Sequence, residues 1–121
     1  MDDPVRFITH RGQEILLIDF SHSTADQLLK LVDEVQATVA QRPPNSVLTL
    51  ADFTGAEVDK AVATRMKQAL VLDRPYVKRS AWVGTEELPK VFYENFKNFS
   101  RRDFPKFKTR EEAMDWLVEE K

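Results

Sequence analysis

The segment Val47-Leu-Thr-Leu-Ala-Asp-Phe-Thr-Gly-Ala-Glu-Val-Asp59 constrains this chain more than any other. A short apolar run that ends in a polar turn reads as a buried strand. The turn Asp52-Phe53-Thr54-Gly55 leads into an amphipathic pattern, so the strand is expected to pass directly into a helix running from about Gly55 to Asp73. The first N–H groups of that helix would point outward and favour an anion or a reactive hydroxyl. The turn is therefore the foremost candidate site.

Along the rest of the chain the apolar spacing alternates between the periods of strands and helices, which predicts an α/β layer fold. Val5-Arg-Phe-Ile-Thr-His10 and Glu14-Ile-Leu-Leu-Ile-Asp-Phe20 flank Gly12 and predict an antiparallel hairpin. Thr24 to Gln41 carries Ala25, Leu28, Val32, Val35 and Val39 at helical spacing, before Pro43-Pro44 ends it. Arg74-Pro75 precedes a strand at Val77–Val83, closed by Gly84. Leu88, Phe92, Phe96 and Phe99 form the stripe of a further helix, and Asp103–Lys108 reads as irregular or briefly extended. Thr109-Arg-Glu-Glu112 is a capping box, with Thr109 at the cap and Glu112 reaching back. The expected fold is one domain over 1–121, a mixed sheet of four to five strands with about four helices.

Charge and composition exclude several classes. With 18 basic and 20 acidic side chains the net charge is −2, so no global field draws the chain to nucleic acid, and no nucleic-acid partner is expected. The absence of cysteine removes disulfides and thiolate chemistry. No apolar run approaches the roughly 20 residues that span a bilayer, so the chain does not read as an integral membrane protein. The acidic start Met1-Asp2-Asp3-Pro4 is unlike a signal peptide, and a cytoplasmic location is expected.

The order of elements, with Asp-Phe-Thr-Gly between the middle strand and its helix, resembles the STAS domain. The likeness is to the bacterial branch that groups anti-sigma-factor-antagonist-like and CRAL-TRIO-like lipid-transfer folds. It is sharpest over Val47–Asp59, Arg74–Gly84 and Thr109–Leu117. The resemblance implies a regulatory module that binds a protein partner and is not an enzyme; a homodimer is compatible with it. It also implies that Thr54 is the phosphoacceptor, with Asp52 before it. The motif departs from the family pattern in carrying Thr54 for the usual Ser, and Ala56-Glu57 where small residues are usual.

The residues themselves offer plainer roles. Thr54-Gly55-Ala56-Glu57 reads as a capping box, with Thr54 a helix cap and Asp52 a turn former. Asp19-Phe20-Ser21-His22 repeats the acidic, aromatic, hydroxyl pattern. If the two strands are neighbours, Asp19, Ser21, His22, Asp52, Thr54, Gly55 and Glu57 line one edge, where ligands of open α/β sheets collect. Otherwise Ser21, Ser23 or Thr24 caps the first helix and His22 is solvated.

Catalysis finds little support: Ser21 and His22 are sequence neighbours whose side chains point apart, and no phosphate-cradling loop is present among three glycines. His10 and His22 suggest no metal site, and no cofactor is expected.

The second candidate region runs from Lys97 to Arg110. There Lys97, Arg101, Arg102, Lys106, Lys108 and Arg110 interleave with Phe96, Phe99, Phe104 and Phe107. Such a patch suits an anionic lipid headgroup or, locally, a nucleic-acid strand, unless Glu111, Glu112, Asp115, Glu119 and Glu120 of the final helix neutralise it. A small apolar ligand or lipid would occupy a cavity under the 88–99 helix, lined by Phe92, Phe96, Phe99 and Trp82. Tyr76 and Trp82 share a strand face with Lys78 and Ser80, which predicts partial exposure or an interface.

Overall fold

The computed structural model describes residues 3–119; Met1, Asp2 and Glu120, which entered the charge reading, lie outside the described residues. Strands β1 (Val5–His10) and β2 (Gln13–Asp19) pair antiparallel across Arg11 and Gly12, both left-handed, the geometry of a type I′ hairpin. The chain continues through α1 (Ala25–Val39), β3 (Val47–Asp52), α2 (Lys60–Asp73), β4 (Val77–Val83), a single 3₁₀ turn (Thr85–Glu87), α3 (Lys90–Ser100), the short β5 (Lys106–Phe107) and α4 (Arg110–Leu117).

The sheet order is β1-β2-β3-β4-β5, with every pair after the hairpin parallel. Strands laid down in chain order by right-handed crossovers place successive helices on one face, and α1, α2 and α3 share a core with Leu16, Ile18, Phe20, Ala51, Phe53 and Trp82. Helix α4 follows the last strand and folds onto the opposite face, where Ala113 and Leu117 meet Ile15, Leu17, Leu48, Leu50, Ala81 and Val83. The central strands are thus buried on both sides, which accounts for the apolar run at Val47.

Three expectations need correcting. Helix α2 starts at Lys60 rather than Gly55, and its cap is Asp59, whose carboxylate accepts from Val62 N at 2.8 Å. Thr54 is therefore no helix cap, and the turn does not present helical N–H groups. The physical reason lies in Asp52, which binds the N–H and hydroxyl of Thr54 and, with left-handed Gly55, holds the chain in a loop. At the second point, Trp82 is no interface residue: it is 3% exposed, stacks on Phe104 at 4.3 Å and packs against Phe53 at 4.7 Å. Register shifts between Val47–Val77 and Leu48–Arg79, so Lys78 is bulged out and the simple alternation through Tyr76 fails. Third, Thr109 caps α4 by accepting from Glu112 N at 3.1 Å, but the Glu112 carboxylate accepts from the Thr109 hydroxyl at 3.2 Å.

Candidate functional site

Strand alternation explains the site. In β2, Leu16 and Ile18, and then Phe20 just beyond the strand, face the three-helix core, which turns Asp19 to the α4 side; in β3, Ala51 and then Phe53 point inward, which turns Asp52 to that side. Asp19 and Asp52 are direct register partners at the carboxyl ends of adjacent parallel strands.

Each carboxylate then organises the same turn. Asp19 Oδ1 accepts from Ser21 N at 3.0 Å and from the Ser21 hydroxyl. Asp52 Oδ1 accepts from Thr54 N at 3.0 Å and from Thr54 Oγ1 at 2.7 Å. Both turns continue into a left-handed residue, His22 (φ 54°) and Gly55 (φ 66°). The two loops run side by side: Phe20 N donates to Asp52 O at 3.0 Å, His22 N to Thr54 O at 2.8 Å and Glu57 N to Ser23 O at 3.0 Å. The rings of Phe20 and Phe53 pack at 5.2 Å beneath, anchoring the turns in the core.

Arg110, the first residue of α4, closes the site. Its Nε donates to Asp52 Oδ2 at 2.8 Å, and its second terminal nitrogen lies 3.2 Å from Asp19 Oδ1. Partial burial pushes the Asp19 carboxyl up, but the Ser21 hydroxyl and N–H and the Arg110 guanidinium outweigh it and hold the carboxyl below its ordinary value. Gly84 completes the enclosure. It is left-handed (φ 69°), and a Cβ there would overlap Thr54 and stand 2.9 Å from Asp52 Oδ1. Gly55 likewise admits the His22 ring, whose Nδ1 would lie 2.5 Å from an added Cβ.

The sheet therefore brings Asp19, Ser21, His22, Asp52, Thr54, Gly55 and Glu57 to one edge. Ser21 and His22 do not combine, since Ser21 turns to Asp19 and His22 lies exposed against Gly55. Sequence reasoning missed Arg110 and Gly84 as members. A signal for Arg110 existed: a cation at the first position of a helix opposes the helix dipole, so a compensating carboxylate was to be sought.

The other region does not form one patch. Lys97 lies 3.8 Å from Asp103, Lys106 sits over the Tyr93 ring at 4.3 Å, and Arg102 turns inward to Ser80 Oγ at 2.7 Å and Leu70 O at 3.0 Å. Among the described residues, neutralisation comes from Asp103, Asp19 and Asp52 and not from the acids of the final helix, whose Asp115 instead meets His10 at 2.7 Å and Arg11 at 3.3 Å. An open groove lined by Leu88, Lys90, Tyr93, Lys106, Phe107 and Lys108 flanks the start of the 88–99 helix, whereas the interior cavity lies elsewhere. It measures about 40 Å³ and is roofed by α1 and α2 through Val32, Val35, Met66, Ala69, Leu70 and Asp73. Trp82 lines it, whereas Phe96 is packed solid, Phe92 is partly buried and Phe99 is 54% exposed.

Among the described residues no cluster of metal-ligating side chains occurs, and no helix is long and apolar enough to cross a membrane.

No family profile and no curated protein matches the chain. A solved structure resembles it with a TM-score of 0.69 and 17% identity, over 94% of this chain and 92% of that one. It is described as an uncharacterized protein from the DUF3478 family with a SpoIIAA-like fold, from Shewanella loihica PV-4. The likeness establishes the fold, the STAS-like arrangement that the element order implied.

Proposed function

We propose that this protein is a non-catalytic regulatory module that binds a partner protein through the Asp52–Glu57 edge and is switched by phosphorylation of Thr54. The observation that carries the reading is the setting of Thr54: an exposed residue whose hydroxyl is hydrogen-bonded at 2.7 Å to one oxygen of Asp52 while Arg110 holds the other. A kinase acting with a nucleoside triphosphate would break its terminal phosphoanhydride bond, join the phosphoryl group to Oγ1 and release the nucleoside diphosphate, with the hydroxyl proton passing by way of Asp52 to solvent. The product carries a charge of about −1.5 to −2 beside two carboxylates that already share one guanidinium. Phosphate and carboxylates then compete for Arg110, which ties α4 to the sheet edge. A shallow groove lined by Ala25, Ala56, Glu57, Val58, Asp59 and Pro89 flanks the same loop and supplies a surface for the partner. The SpoIIAA-like neighbour supports the reading at the level of fold.

The test is the intact mass of protein taken gently from its own host, followed by partner capture with Thr54→Glu and Thr54→Ala. Phosphate localised to Thr54, with capture lost only in Thr54→Glu, supports the switch. Unmodified Thr54 and undiminished capture by Thr54→Glu end it.

A second reading, binding of a lipid or small apolar ligand, is favoured by Val71 and Leu72 on α2 and Val91 and Phe99 on α3, large apolar side chains that are all exposed. A volume of about 40 Å³ admits only a molecule of water size, so occupation of the interior cavity by a larger ligand requires α2 to lift. A ligand mass retained under native conditions and lost on denaturation supports it; a bare native mass counts against it.

A further inference from the structure

The interior cavity is polar at one end. Asp73, the last residue of α2, is 5% exposed and lines it, and Asp73 Oδ1 finds no hydrogen-bond partner among the described residues. Thr49, Ser80 and Arg102 line the same space. A buried carboxylate oxygen without a donor is costly, and such groups are normally satisfied by protein or by ordered water.

The bonds around the cavity have a direction. Arg102 has only donors, and its terminal nitrogen gives a hydrogen to Ser80 Oγ at 2.7 Å. Ser80 Oγ and Thr49 Oγ1 lie 2.7 Å apart, so Ser80, already accepting, can donate to Thr49. The Thr49 proton is then left for an acceptor, and Asp73 Oδ1 is the one in the cavity that lacks a donor. Thr49 and Asp73 make no direct bond, and about 40 Å³ is enough for one water. The walls carry one cation and one anion, which favours a neutral occupant over an ion.

We propose that the cavity is a water site in which one water accepts from Thr49 and donates to Asp73, completing a relay from Arg102 through Ser80, Thr49 and the water to Asp73. A chain with its cation at the donor end and its anion at the acceptor end is polarised along its whole length, and each bond strengthens the next. The relay joins the end of α2, the middles of β3 and β4 and the segment after α3, so it is also a polar clamp across the three-helix face. The charged groups around Asp73 are Arg102, Arg65 of α2, itself paired with Asp33 of α1, and Arg74 next in the chain; α1 and β2 face the cavity with apolar side chains. Burial raises the Asp73 carboxyl to about 6, against the pull of Arg102 and Arg65, so the site is open to titration by NMR.

Two measurements test the proposal. A high-resolution crystal structure of the wild-type protein at pH 8 is expected to hold a water within hydrogen-bond distance of Asp73 Oδ1 and Thr49 Oγ1; a dry cavity overturns the proposal. Carbon-13 titration of the Asp73 carboxyl should move upward in Thr49→Val, which keeps shape but removes the relay's last hydroxyl, and in Ser80→Ala, while Thr54→Val leaves it in place. A midpoint indifferent to Thr49→Val also overturns it. Should that variant not fold, the wild-type structure decides alone.

Discussion

Two clusters on this sheet use the same side chains, Asp and Arg, and come out electrostatically opposite. At the carboxyl edge Asp19 and Asp52 contact Arg110 directly, each receives the N–H and hydroxyl of its own turn, and Asp19 is held below its ordinary value. Under α2, Asp73 faces Arg102 with one oxygen unbonded among the described residues, and burial lifts it to about 6. Arg102 feels the same burial, which lowers it to about 10 although Asp73 pulls the other way. The number of donors supplied, set against the water removed, decides the sign. The edge therefore favours the charged form of Asp19 and can respond to an added phosphate, whereas the interior carries a charge that depends on pH.

The strongest way to break the comparison is to pry the edge open. Gly84→Ala places a methyl against Thr54 and Asp52 in a left-handed conformation, and we expect a loss of about 2–5 kcal/mol by urea denaturation. An unchanged midpoint would mean the turn has slack and is not a rigid partner surface.

Next comes pH. Asp73 is raised in the fold relative to about 3.8 in the unfolded chain, so its stabilising contribution is complete below that value and is lost as pH rises through about 6. Wild-type stability should fall by up to about 3 kcal/mol from this group between pH 4 and pH 7. Asp73→Asn should remove that slope, read from urea midpoints across the window. Asp19 has the opposite sign, its contribution being present above the ordinary carboxylate range and lost only in stronger acid.

Smaller effects sharpen the edge itself. Arg110→Gln leaves two partly buried carboxylates facing one another and should cost about 1–2 kcal/mol, discounted for the exposure of the guanidinium, and should raise the Asp19 midpoint in an NMR titration. Thr54→Val removes one hydrogen bond to Asp52 at an exposed position, with an expected loss of about 0.5–1.5 kcal/mol. A larger loss would assign Thr54 to the architecture rather than to a switch.

Much of this was legible in the chain. The Gly12 hairpin, the periodic helices and the buried strand at Val47 were readable because each signal is local. The pairing of Asp19 with Asp52 was readable on one condition, that β2 and β3 be neighbours, which chain order and a parallel crossover satisfy. The start of α2 was not. Thr54-Gly-Ala-Glu57 and the stretch ending at Asp59 both carry capping residues, and the choice fell to Asp52, whose carboxylate takes the Thr54 hydroxyl before it can cap. Trp82 looked amphipathic because a bulge at Lys78 shifts the phase of β4.

By itself, then, the sequence determined the elements, their order, the absence of thiol chemistry and the two Asp-Phe-hydroxyl turns, since periodicity, turn chemistry and side-chain identity act over a few residues. Only the tertiary structure decided that Arg110, 58 residues from Asp52, would bind both carboxylates, that Gly84 would have to stay small, and that Asp73 and Arg102 would share a cavity. Those outcomes depend on which face α4 covers and how α2 seats on the sheet, and such packing is settled by the whole core at once, with no signature in any short stretch of chain.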